Sequence, residues 1–173
     1  RATTSRSFLP SAAVSADSGH TVLVYDIDAV KLAKLASNDP ATIQSVLYEQ
    51  GLAELLIRNQ ERIEFTASLE KVADFVVSAE AVVMCLPTPE KEGAAGESDL
   101  SYYESAVAAI GPLLAKRGGG DQVGRLVVVN KSTVPIRMID YTHELFSKQG
   151  VQNFGIVSNP EFLVEGRAIQ DSI

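Results

Sequence analysis

The sequence predicts an α/β fold built on a doubly wound parallel sheet. Three observations carry this expectation. Apolar runs rich in β-branched residues occur at Thr21–Tyr25, Ala81–Cys85, Leu126–Val129 and, more weakly, Phe154–Val157. Segments with helical apolar spacing lie between them. Runs and helical segments alternate along the chain, which implies right-handed βαβ units. Because the runs lack polar alternation, they predict strands buried on both faces.

Taken in order, Ala29–Ala36, Ala41–Asn59 and Ser68–Val77 read as helices, the middle one broken near Gly51. Ile63–Thr66 is a further short strand. In Ser101–Lys116, Tyr103, Val107, Ile110 and Leu114 fall on one helix face. Ser101 and Glu104 fit a capping box at its start. Pro135 suits the first helical position of Pro135–Lys148, and Gly150 lies just past the end. Ile136, Ile139, His143 and Phe146 share a face there, which predicts His143 as a packed core residue. Glu90–Ser98 is polar and contains glycine, so it is expected to be a mobile loop. Gly118–Gly120 reads as a helix stop.

Composition narrows the function. The chain has 173 residues, 15 Lys+Arg and 22 Asp+Glu, for a formal net charge of −7. That acidic balance argues against nucleic acid or a membrane surface as partner, since both are anionic. No apolar run approaches the roughly 20 residues that span a bilayer. A cytoplasmic location is the resulting expectation. The lone cysteine, Cys85, excludes an internal disulfide and a CxxC zinc site. Cys85 lies within an apolar run and reads as a core residue. His20 and His143 lack metal-ligand spacing, so no metal is expected. Arg1–Ala16 contains two Arg and no acid, the composition of a transit peptide or of foreign sequence.

Four places could carry chemistry. Asp26 ends the first run, where an acid in a dinucleotide-binding fold accepts hydrogen bonds from the adenosine ribose. Alternatively, Asp26 or Asp28 caps the next helix. The G-x-G-x-x-G loop that usually lies roughly 20 residues earlier is absent, because no glycine precedes Gly19. Lys131-Ser132-Thr133-Val134-Pro135 follows a strand and opens a helix. Thr133 would face a ligand there, or Ser132 or Thr133 would cap the helix. Cys85-Leu86-Pro87-Thr88-Pro89 ends another strand in a stiff turn. Glu161 and Glu165 are four apart, either a carboxylate pair suited to acid/base work or a solvated helix face.

The order of these motifs is more specific than any one of them. Gly19–Asp28 (GHTVLVYDID), Glu49–Asn59 (EQGLAELLIRN), Arg62–Thr66 (RIEFT), Cys85–Pro89 (CLPTP), Asp99–Tyr102 (DLSY), Lys131–Pro135 (KSTVP) and Ser158–Gly166 (SNPEFLVEG) follow in sequence. This resembles the N-terminal domain of the UDP-glucose/GDP-mannose dehydrogenase family, from Leu9 to Ile173. The resemblance implies a Rossmann-like fold with NAD as cofactor. It implies oxidation of a nucleotide sugar's CH₂OH to a carboxylate, with a UDP-sugar, UDP-glucose first, as substrate. GDP-mannose or a UDP-N-acetylhexosamine is the alternative within the family, and a non-catalytic α/β binding module is the alternative outside it. The resemblance also implies that the parent enzyme is a homo-oligomer.

By the same resemblance, Asp26 binds the adenosine ribose, with Lys31 beside it. Pro87, Thr88 and Thr133 line the cofactor and active-site cleft, and Glu165 lies near the nicotinamide. Phe162 and Leu163 contact the sugar nucleotide through their main chain. Glu161 is the acid/base residue. The family opens with a strand and a G-x-G-x-x-G loop; here Thr3, Ser5 and Phe8 stand where its glycines should be. The resemblance therefore implies an incomplete fold, with the first strand and glycine-rich loop missing. Residues 1–8 are an atypical segment and 9–173 a partial NAD-binding domain. In the strand order 3-2-1-4-5-6 the missing strand is central, so the sheet should separate into two halves. The C-terminal sugar-nucleotide domain, with the family's nucleophilic cysteine, is expected to lie outside this chain.

Overall fold

The computed structural model describes residues 8–93, 96–117, 124–132, 137–160 and 169. The chain divides into two compact units, and it passes from one to the other at residues 71 and 72.

The first unit, residues 8–71 with Ile169, starts at α1 (Phe8–Asp17) and continues through β1 (Val22–Tyr25), α2 (Ala29–Leu35), α3 (Pro40–Gln44), α4 (Leu52–Arg58) and β2 (Ile63–Thr66). β1 and β2 pair in parallel, from Val22 opposite Ile63 to Tyr25 opposite Thr66. Ala13 and Ala16 are fully buried, and their small side chains let α1 pack closely. Leu9, Leu32, Leu35, Ile43, Leu52 and Leu56 fill the core around Val24 and Ile63. The expected break near Gly51 is real and has a backbone cause. Gly51 sits at φ 82 directly before α4, a conformation that glycine adopts without steric cost.

The second unit, residues 72–160, carries β3 (Ala81–Met84), α6 (Ser101–Ala115), β4 (Leu126–Asn130), α7 (Met138–Lys148) and β5 (Phe154–Ser158). The helix α5 (Leu69–Val76) spans the boundary. The three strands form a parallel sheet in the order β3-β4-β5. The described residues form two parallel sheets, one of two strands and one of three. Among the described residues no strand precedes α1.

Tyr103, Val107, Ile110 and Leu114 of α6 are all buried, as their spacing predicts. At the centre of the unit, the Tyr103 hydroxyl donates to Asn130 Oδ1 at 2.7 Å and lies 3.0 Å from Thr142 Oγ1. Asn130 Nδ2 donates to the same threonine oxygen at 3.0 Å. This network ties β4 to both helices and pairs side chains whose burial would otherwise be costly.

Several expectations need correction. The strands are not buried on both faces. In β4, Leu126, Val128 and Asn130 are buried while Val127 and Val129 are half-buried, and Val83 and Val157 beside them are 50% and 47% exposed. Continuous β-branched composition reflects strand preference and does not report how many faces are covered. α7 begins at Met138, not at Pro135, because Arg137 at φ 72 cannot be helical; Pro135 and Ile136 lie outside the described residues, as does Gly118–Gly120. The buried face of α7 is Met138, Thr142 and Phe146, one position round from the face expected. His143 is exposed and stacks on Phe154, with ring centroids 5.0 Å apart. Cys85 is half-buried rather than a core residue; the strand ends one residue earlier at Met84, which is the buried position.

The capping box is also absent. The Ser101 amide donates to Asp99 Oδ1 at 2.9 Å, and this bond holds the Asp99 carboxyl below its usual range. Glu104 instead accepts a hydrogen bond from the Tyr141 hydroxyl. That bond pushes the phenol up to about 12. The expected loop after β3 is tied at its base by an antiparallel bridge between Glu90 and Ser98 and a 2.7 Å bond from Lys91 N to Glu97 O.

Candidate functional site

At the carboxyl end of β1 the two aspartates separate into different roles. Asp28 is the helix cap: its Oδ1 accepts the Lys31 amide of α2 at 3.0 Å. Asp26 is not. Its Oδ1 accepts the Asp28 amide at 3.0 Å, and its Oδ2 is ion-paired with the Lys31 ammonium. The Asp26 amide donates to Thr66 O at 3.3 Å, which continues the β1–β2 ladder one step further and fixes the acid beyond the strand ends. The Asp26 side chain is 24% exposed and that of Lys31 only 10%. The lysine ammonium lies 4.8 Å from the centroid of the Phe8 ring, within cation–π range.

This arrangement fits the ribose end of a dinucleotide. An ionised carboxylate offers about four acceptor positions, and two are used here. A vicinal diol could take the others, while a 2′-phosphate would meet the negative charge. At the pyrophosphate end the fit is poorer. Phe8 opens α1 with a ring that packs against the unit's core, where a dinucleotide loop needs a glycine for close backbone approach. Thr3 and Ser5 lie outside the described residues.

In the second unit the expected site residues Pro87 and Thr88 follow the carboxyl end of β3, both half-buried. The ladder between β3 and β4 ends with Lys131 N donating to Met84 O at 3.0 Å. Ser132 does not cap the next helix. Its buried hydroxyl donates to Leu86 O at 2.6 Å and accepts from Leu86 N at 2.8 Å. The sequence reading missed this link, which joins positions 46 apart; no local pattern announces it. Asn159 N donates to Asn130 O at 2.9 Å and carries the edge on from β5. Of the other expected site residues, Thr133, Glu161, Phe162, Leu163 and Glu165 lie outside the described residues.

Among the described residues no group of three or more His, Cys, Asp or Glu could hold a metal ion, and no helix is long and apolar enough to cross a membrane.

The fold agrees with the comparison to known proteins. The UDP-glucose/GDP-mannose dehydrogenase family, NAD binding domain, matches residues 9–173. The chain belongs to this family. NAD is accordingly the cofactor of the domain. The chain is 33% identical over 162 residues to UDP-glucose 6-dehydrogenase TuaD of Bacillus subtilis, covering 91% of this chain and 31% of that protein. It is 36% identical over 155 residues to UDP-glucose 6-dehydrogenase 1 of rice, Oryza sativa, covering 87% of this chain and 29% of that one. Among solved structures it resembles a GDP-mannose dehydrogenase of Pseudomonas aeruginosa, with a TM-score of 0.79 and 26% identity. That match covers 96% of this chain and 36% of the other. The chain thus spans about a third of the length of these relatives.

Proposed function

We propose that this chain is the NAD-binding part of a UDP-glucose 6-dehydrogenase, which oxidises the sugar CH₂OH of UDP-glucose to the carboxylate of UDP-glucuronate. The observation that carries this reading is Asp26. It stands free of the capping role, 24% exposed beyond the strand ends, in a chain of this family whose similar proteins in Bacillus subtilis and rice bear that name.

In this reading residues 9–173 are a partial NAD-binding domain, residues 1–8 are an atypical segment, and the sugar-nucleotide domain with the nucleophilic cysteine lies elsewhere. Asp26 accepts the ribose hydroxyls, and Lys31 holds its carboxylate in place. Pro87, Thr88 and Thr133 line the cleft, and Glu165 lies beside the nicotinamide. Phe162 and Leu163 bind the sugar nucleotide through main-chain groups. Bound NAD supplies the hydride acceptor for both oxidations. Glu161 takes a proton from the water that releases the carboxylate product from the enzyme, a task that suits a positioned carboxylate. The working enzyme is a cytoplasmic homo-oligomer.

The resemblance to a solved GDP-mannose dehydrogenase supports GDP-mannose as a second reading. The test is NADH formation by the full-length protein, with UDP-glucose, GDP-mannose and UDP-N-acetylglucosamine offered in parallel. UDP-glucose should give the highest kcat/KM. A preference for GDP-mannose would replace the first reading with the second. The 173-residue chain alone should give no turnover, and NADH produced by it would refute the division of labour proposed above.

A further inference from the structure

β4 ends at Asn130, and the bond from Lys131 N to Met84 O carries its pairing with β3 one step further. The turn that follows β3 bears the proposed cleft residues Pro87 and Thr88. The next amide on the side of β3 that faces β4, that of Leu86, is bound by a side chain. The Ser132 hydroxyl is 7% exposed and uses its donor and its acceptor on the two backbone groups of the same residue, Leu86, at 2.6 Å and 2.8 Å. Leu86 immediately precedes Pro87, and Ser132 immediately precedes Thr133. A single hydroxyl therefore fixes the residue directly before the proposed cleft position Pro87.

We propose that Ser132 is a positioning residue, a clip that holds the turn bearing Pro87 and Thr88 against the end of β4 by binding both backbone groups of Leu86. This rests on the reading that this turn lines an NAD cleft. A hydroxyl suits the task because it can donate and accept at once. Alanine can do neither, and threonine keeps both capacities.

The test has two arms. In the 173-residue chain, hydrogen exchange at the Leu86 amide should rise roughly thirtyfold in Ser132→Ala, the loss expected when a half-buried amide loses its acceptor. Amides within β3 and β4 should change little, and Ser132→Thr should restore protection. In the full-length dehydrogenase, Ser132→Ala should raise KM for NAD about tenfold with kcat nearly unchanged, and Ser132→Thr should return it towards wild type. Thr142→Val supplies a control, since it breaks a buried hydroxyl network away from that turn; it should lower thermal stability and leave KM for NAD unchanged. Unaltered Leu86 exchange in Ser132→Ala overturns the clip. Raised exchange with unchanged KM shows a purely structural bond and overturns the positioning role. A similar rise in KM in Thr142→Val would assign the effect to lost stability and overturn it too. If the wild-type protein oxidises no nucleotide sugar, the functional reading fails by itself, and the exchange arm alone decides whether Ser132 holds the turn.

Discussion

The two units secure their polar groups by different means. In the first, charge does much of the holding. Asp17 at the end of α1 accepts from Arg58 at 3.1 and 2.6 Å and from Asn59 at 2.9 Å, and Asp26 is tied to Lys31. In the second, the ion pairs Lys91–Glu97, Arg137–Asp140 and Lys148–Glu144 stay within one loop or one helix at the surface, and the links between elements at its core are neutral and buried: Tyr103, Asn130 and Thr142, and Ser132 on Leu86. Neutral buried bonds are insensitive to salt and to pH across the physiological range, and breaking one orphans its partners. Charged links near the surface are screened and titrate. The unit with the proposed ribose carboxylate is therefore the one whose geometry should respond to solution conditions.

The largest expected effect tests the neutral side. Asn130→Ala removes the amide that binds both Tyr103 and Thr142, and it should cost about 2–3 kcal/mol in urea unfolding, equally at pH 6 and pH 8. A pH-dependent loss would break the contrast. Burial already pushes the Tyr103 phenol up to about 12, so this residue stays protonated throughout.

A smaller effect separates steric from polar support in the same unit. A Cβ on Gly111 would meet Gln149 Cγ at 2.6 Å and Cβ at 2.7 Å, which forces α6 and α7 apart. Overpacking of that kind costs about 1–3 kcal/mol, partly offset by the better helix propensity of alanine. Gly111→Ala should thus lower the urea midpoint by less than Asn130→Ala does. A gain in stability would show that Gln149 yields freely.

The smallest effect belongs to the charged side. Hydrogen bonds from Asn59 and Arg58 hold the Asp17 carboxyl below its ordinary range. A carboxyl with a depressed folded pKa stabilises the fold above its unfolded pKa, and that contribution is lost as pH falls through the folded value. Wild-type stability should therefore decline below about pH 4, the ordinary range of an aspartate. Asp17→Asn should be slightly less stable at pH 7 and decline less steeply below pH 4, so that the two curves converge. Parallel pH curves for the two proteins would remove Asp17 from the account.

Much of this molecule was legible in its sequence wherever the signal was local. The strand Ile63–Thr66, the α6 face of Tyr103, Val107, Ile110 and Leu114, and the break at Gly51 follow from spacing and backbone preference. The errors arose where a distant partner decides. Ser101 and Glu104 have the spacing of a capping box, yet Asp99 and Tyr141 reach those groups first. The register of α7 shifted because Arg137 adopts a left-handed turn that no composition rule requires. At the proposed site, Asp26 was visible as an acid ending a β-branched run. Its separation from the cap Asp28 needed coordinates, as did the bond from Ser132 to a residue 46 positions away.

The most direct measurement is calorimetric titration of NAD. Two proteins are compared: the 173-residue chain, and the same chain with a family first strand and G-x-G-x-x-G loop placed ahead of Leu9. The account predicts no heat at micromolar NAD for the chain itself, whose Phe8 stands in place of a pyrophosphate-loop glycine, and clear binding for the second protein. In that protein Asp26→Ala should weaken NAD by about 2–4 kcal/mol, the worth of two charge-assisted hydrogen bonds to the ribose. Tight binding by the unaltered chain would contradict the role given to Phe8. An affinity unmoved by Asp26→Ala would contradict the central claim and leave Asp26 as no more than an anchor for Lys31.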